Sequence, residues 1–439
     1  MDYLTIIEEG LKVYDDIQLL IVENETKKVT VKHGEIEDFL TSINKDHFIR
    51  IIKDGKHYSF RVSGGDLKEI KKVLNEVKDI FLYLTNENYE LNRNYSKYDK
   101  ELYLKDNFYY KMNNSQLVNT ALEIEASALN YSKYVKNVRY TNFTATLEKK
   151  YLLFSDGEVL TEESTNFSGS TYVVAEKDGD SQSGYDFSSS VYFDDFEYNL
   201  IGQRAAIEAV SLLGGKKLKS GKYYIVFKNT IMAEFLELIE YLVNAENILK
   251  NKSLMKDMLG KEVASKNLSI VDNSKIERGV GSYCFDDEGV VGGRTEIIKN
   301  GILKGILHNN FTSKKLNQKN TGNASITGSV KVDISASNLI LSGEQIVNFD
   351  VLKDYNDVLL VTDVMGMHMA DPISGDFSIG ISGIYFKNGE EVTPFNEMVL
   401  TGNITDLLKN VIAVFDDTRD FGGVITPSIM FDKFMVSGS

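Results

Sequence analysis

Five pairs, Asp54-Gly55, Asp156-Gly157, Asp178-Gly179, Asn300-Gly301 and Asn388-Gly389, punctuate this chain between apolar stretches. Asp-Gly and Asn-Gly accept positive φ at the centre of a two-residue turn, so each pair marks a hairpin or tight strand connection. Spread over most of the chain, they call for antiparallel sheet. Helical periodicity fills the gaps. Leu4, Ile7 and Leu11 fit a short amphipathic helix over 3–13. Asp66 is placed to cap a helix carrying Ile70, Val73, Val77, Ile80 and Phe81. Between them, strands are expected at Ile17–Val22, Val29–Lys32 and in the hairpin 48–62.

The same reading divides the chain into three units. An α+β unit covers 1–100 and closes in a polar linker, Asn86–Lys100. A second α+β unit, 101–218, opens with a helix bearing Leu117, Ala121, Ile124, Ala128 and Leu129. It holds a Ser-, Gly- and Asp-rich loop or edge strand at Asp180–Ser190, and ends with a helix, 196–213, stopped by Gly214-Gly215. The third unit, 219–439, begins with a strand at Tyr223–Phe227 and a strong helix at 228–243. It continues as densely spaced strands, interrupted by a helix near Ile404–Val414. The fold class is therefore α+β: N-terminal α/β units with antiparallel sheets, then a β-rich, barrel-like C-terminal domain.

Charge narrows the partners. With 49 basic and 64 acidic residues, the net charge is -15. Binding to nucleic acid or anionic membranes is driven by clustered cations, so neither is expected as a partner. There is no stretch of about 18 apolar residues and no signal-like N-terminus, so a cytoplasmic location is expected. A single cysteine, Cys284, rules out an intrachain disulfide.

Catalytic chemistry finds little support in the motifs. A zincin-like helix needs two histidines one turn apart with a glutamate base. The helix at 230–247 presents Ile231, Phe235, Leu238, Ile239 and Leu242 instead, and its Glu234, Glu237 and Glu240 do not replace imidazoles. Cys284, His308 and His368 are scattered without ligand spacing. Met365-Gly-Met-His-Met369 reads as a turn flanked by gap-filling methionines. Asp178–Gly184 opens like an EF-hand, but its glycine falls one place late and Ser189 stands where the bidentate glutamate belongs. Asp286-Asp287-Glu288-Gly289 reads as a solvated hairpin turn. The glycine-rich run Gly289–Gly293 matches no phosphate-binding loop.

Longer blocks carry a resemblance. Cys284–His308, Thr321-Gly-Asn-Ala324, Asp357–Gly366, Ser374–Glu390, Leu400–Ile404 and Pro427–Met430 resemble, in order, the motifs of the TldD/PmbA (TldD/TldE) family. Tyr172–Tyr185 and Ile201–Leu213 resemble its middle domain. The resemblance implies a zinc-dependent peptidase of two subunit types, linked to maturation of peptide antibiotics and degradation of unfolded peptides. An older label in this family is modulator of DNA gyrase. Its TldD-type subunit carries a His-Glu-x-x-x-His helix and a third, cysteine ligand near the C-terminus. This chain lacks both histidines, and Asp416–Pro427 contains no cysteine. It is therefore similar to the metal-free PmbA/TldE type: no catalytic residue and no metal are expected in it, and zinc belongs to a TldD-type partner. Gly292, Gly293, Arg294, Thr321, Gly322 and Asn323 are the candidate peptide-binding positions, as points where a substrate backbone could come close. The alternative is a non-enzymatic, self-associating (dimeric) peptide-binding or scaffold protein.

Overall fold

A computed structural model describes residues 3–92, 100–326 and 330–438, the side chain of His368 excepted. Residues 93–99 of the expected linker lie outside the described residues. Six strands form the first sheet: β1 (Asp16–Lys32), β2 (Glu35–Lys53), β3 (Lys56–Ser63), β4 (Val135–Phe154), β5 (Val159–Lys177) and β6 (Asp180–Ser190). Their order is β3-β2-β1-β4-β5-β6, antiparallel throughout. The first two sequence units thus share one sheet, joined where Gln18–Val31 of β1 pairs with Thr141–Phe154 of β4.

Turn chemistry explains the hairpins. At Asp54-Gly55, Asp178-Gly179, Asn300-Gly301 and Asn388-Gly389 both residues have positive φ, between 48° and 89°. That is the primed turn whose twist matches its strands. His33-Gly34 closes β1 to β2 in the same way. One sheet face is covered by helices. Leu4–Gly10 and Leu67–Glu76 pack on its N-terminal end with Ile17, Ile21, Ile49 and Phe60. Asn114–Leu129 packs on its middle with Phe143 and Phe167. The Asp66 carboxylate accepts from the backbone N–H groups of Lys68 and Glu69, which fixes the start of the helix Leu67–Glu76. Tyr198–Ser211 lies directly on β5 and β6. A Cβ on Gly184 would stand 2.1 Å from the Ala205 carbonyl, so glycine lets the helix close on β6.

The third unit holds a second six-stranded sheet and a barrel. The barrel runs from β7 (Gly221–Phe227) through Val358–Met365, Asp376–Lys387 and Glu390–Asn403 to Ile429–Ser437, which pairs back with β7 and closes five strands. Helix Asn229–Val243 buries Ile231, Phe235, Ile239 and Leu242 in the core that this barrel shares with the second sheet. Burying one such side chain is worth about 1.5–3 kcal/mol, so the face that could carry ligands is committed to packing.

Several expectations need correction. The predicted strands Ile17–Val22 and Val29–Lys32 are one strand. The helix near Ile404–Val414 stops at Lys409, and Val411–Phe415 is a strand beside Ile429–Ser437. The start of the linker is anchored: the Tyr89 N–H donates to the Gly55 carbonyl, and the Tyr89 ring stacks on His57.

The largest correction concerns Asp286-Asp287-Glu288-Gly289. The turn forms, with Gly289 at φ +81°, but Asp286 and Glu288 are each 1% exposed. Glu288 pairs with Arg50 of β2 at 2.8 Å and accepts from the Asn310 N–H at 2.7 Å. Asp287 pairs with Lys150 of β4 at 2.5 Å and accepts from the Ile326 N–H. Asp286 accepts from the N–H groups of Glu288, Val290 and Ala324, while burial and the Glu288 charge push its carboxyl up. The acidic turn is the joint between the first sheet and the third unit. Nearby His308 is also buried, its Nδ1 hydrogen-bonded to the Thr312 hydroxyl at 3.2 Å, and burial lowers its pKa to about 4.

Two outcomes follow for stability. Arg50→Ala leaves Glu288 buried without its cation and is expected to cost about 3–5 kcal/mol in denaturant unfolding. The double variant Arg50→Met/Glu288→Gln keeps the acceptor for Asn310 and should recover most of that loss; a double variant no better than the single one would contradict this account. His308 stays neutral in the fold down to about pH 4, whereas an unfolded histidine protonates near pH 6.5. The unfolded state therefore binds more protons in that window, and stability falls as pH drops from about 6.5 to 4. His308→Gln should flatten the slope by up to one proton, about 1.4 kcal/mol per pH unit, in unfolding titrations across that range.

Candidate functional site

The glycine and Thr-Gly-Asn loops do come together. Gly322 has φ +72°, and a Cβ on it would meet Gly292 Cα at 2.8 Å. Their contacts point inward. The Thr321 hydroxyl accepts from the His308 N–H at 2.7 Å and donates to its carbonyl. Asn323 is 1% exposed and donates to Asp272 Oδ2 at 2.7 Å and to the Ser335 carbonyl. The Tyr283 hydroxyl donates to the Gly322 carbonyl at 2.6 Å. Gly293 is half-buried, with open space where a Cβ would sit, and Arg294 is exposed at the start of a strand, 3.7 Å from Glu296. Thr321, Gly322 and Asn323 thus brace loops, leaving Gly293 and Arg294 nearest to solvent.

A larger concave region lies elsewhere. A cavity of about 780 Å³ opens between β6, helix Tyr198–Ser211, the N-terminus of helix Asn229–Val243 and the segment Asp417–Asp420. A second, of about 270 Å³, continues from it along β6 and the exposed side of helix Asn229–Val243; both are walled by Tyr185, Asp186, Glu208 and Thr230. β6 is the last strand of its sheet, with β5 on one side only. The groove therefore runs beside the outer edge of that sheet.

Ionic contacts shape its floor. Arg419 grips Asp186 with two hydrogen bonds of 2.7 and 2.9 Å and donates to the Phe187 carbonyl of the edge strand. Burial raises the Asp186 carboxyl, against the pull of that guanidinium. Lys228 pairs with Glu208 at 2.7 Å. The helix N-terminus is tied to the C-terminal segment: the Asn229 N–H donates to the Ser428 hydroxyl, its side-chain amide donates to the Asp417 carbonyl, and Ser428 donates to Asp417 Oδ2.

That last contact matters for the zinc question. Helix Asn229–Val243 and the segment Asp416–Pro427 are neighbours in space. Among the described residues no group of three or more His, Cys, Asp or Glu side chains is arranged to hold a metal ion. Among the same residues, no helix is long and apolar enough to cross a membrane. The groove residues went unrecognised in the sequence, although Glu234 and Glu237 lie there at helical spacing opposite the apolar stripe. Burial and the neighbouring charges of Glu237 and Asp363 raise Glu234 to about 6.

Comparison with known proteins places this architecture. Residues 220–438 match the family model of the PmbA/TldA metallopeptidase C-terminal domain, and 110–213 that of the central domain. A metalloprotease PmbA homolog of Haemophilus influenzae is 30% identical over 320 residues, covering 73% of this chain and 69% of that protein. A Thermotoga maritima crystal structure, provisionally described as a modulator of DNA gyrase, superposes with a TM-score of 0.89 at 24% identity, covering 99% of this chain and all of that one. TldE of Thermococcus kodakarensis superposes with a TM-score of 0.87 at 19% identity over 99% of both chains. With two matched domains that span most of its length, this chain belongs to the PmbA/TldD metallopeptidase family.

Proposed function

We propose that this chain is the zinc-free subunit of a two-subunit peptidase of its family. It holds an extended, unfolded peptide in the β6 groove, while a related zinc-bearing subunit supplies the cut. The observation that carries this reading is helix Asn229–Val243. The family resemblance puts a zinc helix at this place in the chain, and here the helix buries Ile231, Phe235, Ile239 and Leu242 as core. The adjoining segment Asp416–Pro427 offers carboxylates and no thiol. Hydrolysis of an amide at neutral pH needs an activated water or nucleophile, and the helix provides no imidazole for one. What the chain offers is an outer sheet edge beside a large polar cavity, suited to β-strand addition, in which main-chain hydrogen bonds hold an extended peptide irrespective of its sequence.

On this reading, Gly293 and Arg294 sit at the solvent side of a separate braced loop and are secondary candidates for peptide contact. The net charge of -15 disfavours DNA as the ligand. A self-associating scaffold protein is the competing reading, and the same experiment separates the two.

Purified chain mixed with its cognate TldD-type zinc subunit should form a hetero-oligomer in sedimentation. Together they should cleave an unstructured peptide at least tenfold faster than either alone. A chain that stays with itself and adds no proteolysis overturns the proposal. Thr418→Trp places a bulky ring on the exposed wall of the 780 Å³ cavity. It should leave the melting temperature unchanged and weaken peptide binding about tenfold in fluorescence anisotropy.

A further inference from the structure

The smaller cavity has a chemical character of its own. Its walls carry five carboxylates, Asp186, Glu208, Glu234, Glu237 and Asp363, and no Lys or Arg. Arg419 engages Asp186, and Lys228 engages one oxygen of Glu208, both reaching in from outside this cavity. Glu234, Glu237 and Asp363 are left without a cationic partner among the described residues.

Two buried side chains add an independent observation. Glu208 and Thr362 are 9% and 8% exposed, and both line the cavity. Glu208 Oε1 and the Thr362 hydroxyl have no hydrogen-bond partner. A buried polar atom left unpaired costs about 1–3 kcal/mol. The Thr230 hydroxyl on the same walls is unpaired as well, and a cavity lined by three such residues and by uncompensated carboxylates suits an occupant that donates hydrogen bonds and carries positive charge. Crowding of like charges is visible in the carboxyls themselves: Glu234, Glu237 and Asp363 are all raised, by burial first and by neighbouring carboxylates second.

Part of the remaining wall is aromatic or aliphatic. Tyr172, Phe187, Ile231, Phe421 and Val424 face the same space. A charged head on an aliphatic stem suits this combination, because the stem packs on the rings while the head reaches the carboxylates. An isolated metal ion would leave those walls unused.

We infer that this cavity is a specificity pocket for a lysine or arginine side chain of the peptide held along β6. The inference rests on the groove reading above and adds a substrate class to it: basic, extended peptides. The pocket is formed by this chain alone, so the zinc-free subunit selects what its partner cuts. The cationic side chain would pair with Glu234, Glu237 and Asp363 and offer protons to Glu208 Oε1 and the Thr362 hydroxyl.

The test uses unstructured peptides acetylated at the N-terminus and amidated at the C-terminus, so that no terminal charge competes. They differ at one central position: lysine, arginine or norleucine. Binding to the purified full chain is measured by fluorescence anisotropy at low and at moderate salt. Lysine and arginine peptides should bind at least tenfold more tightly than the norleucine peptide, with the preference shrinking as salt rises. In the triple variant Glu234→Gln/Glu237→Gln/Asp363→Asn, lysine and norleucine peptides should bind equally. These three positions are exposed and the replacements nearly isosteric, and a melting curve checks the fold. Wild-type binding without preference overturns the pocket and leaves the groove standing. A preference that survives in the triple variant also overturns it, by placing the cation elsewhere. Binding of none of the three peptides overturns the groove reading and the pocket with it.

Discussion

The fold depends on three acidic residues that the interior cannot hold by themselves. Asp286, Asp287 and Glu288 are carried into the joint between the first sheet and the third unit, where isolated carboxylates would cost several kcal/mol each. They are tolerated because each is answered from a different direction. Arg50 comes from β2, Lys150 from β4, and backbone N–H groups from Val290, Asn310, Ala324 and Ile326. None of these interactions is surplus. Removing one leaves a buried charge, so the sheet, the helix after Asn309 and the loop after Asn323 must all be in place together. Such a joint contributes little net stability compared with an apolar one of equal size, but it tolerates one arrangement of the two halves and penalises others.

That fixed arrangement is what makes the groove. β6 belongs to the first sheet, while helix Asn229–Val243 and Arg419 belong to the third unit. The groove is the gap between them, closed at its base by Arg419 bonding Asp186 across it. A slip at the joint would separate the edge strand from the helix that walls it. The acidic turn and the groove are distant in sequence and mechanically linked, since both rest on how the sheet seats against the barrel.

Local patterns exposed much of this fold. The Asp66 cap, the Gly-containing turns and the helices with Leu117 and Ile124 or with Ile231 and Phe235 each satisfy a rule that operates within a few residues. β1 escaped as a single strand because its middle, Glu23–Lys28, is polar; that part of the sheet is only half-covered, so no apolar alternation is required. Val411–Phe415 escaped because a short apolar run fits a helix as well as a strand. The acidic turn escaped for a deeper reason: its partners Arg50 and Lys150 lie more than a hundred residues away, and no local pattern announces a pairing of that range. The groove shares this difficulty, since its residues come from β6, two helices, a barrel strand and the segment after Phe415. The glycine and Thr-Gly-Asn loops were legible as motifs, but a motif does not say which way its hydrogen bonds point, and most of these point inward.

The two faces of helix Asn229–Val243 answer different demands. Apolar residues on its inner face make the helix a structural strut, and its registration against Asp417 and Ser428 is set by hydrogen bonds rather than by a metal ion. The outer face is then free of the demands of zinc. Histidines committed to a metal must stay neutral and precisely spaced, which restricts what else a helix face can carry. Glu234 and Glu237 carry no such restriction. An apolar inner face and an acidic outer face are therefore compatible on one helix: core packing fixes its place beside β6, and its outer carboxylates line the cavity there.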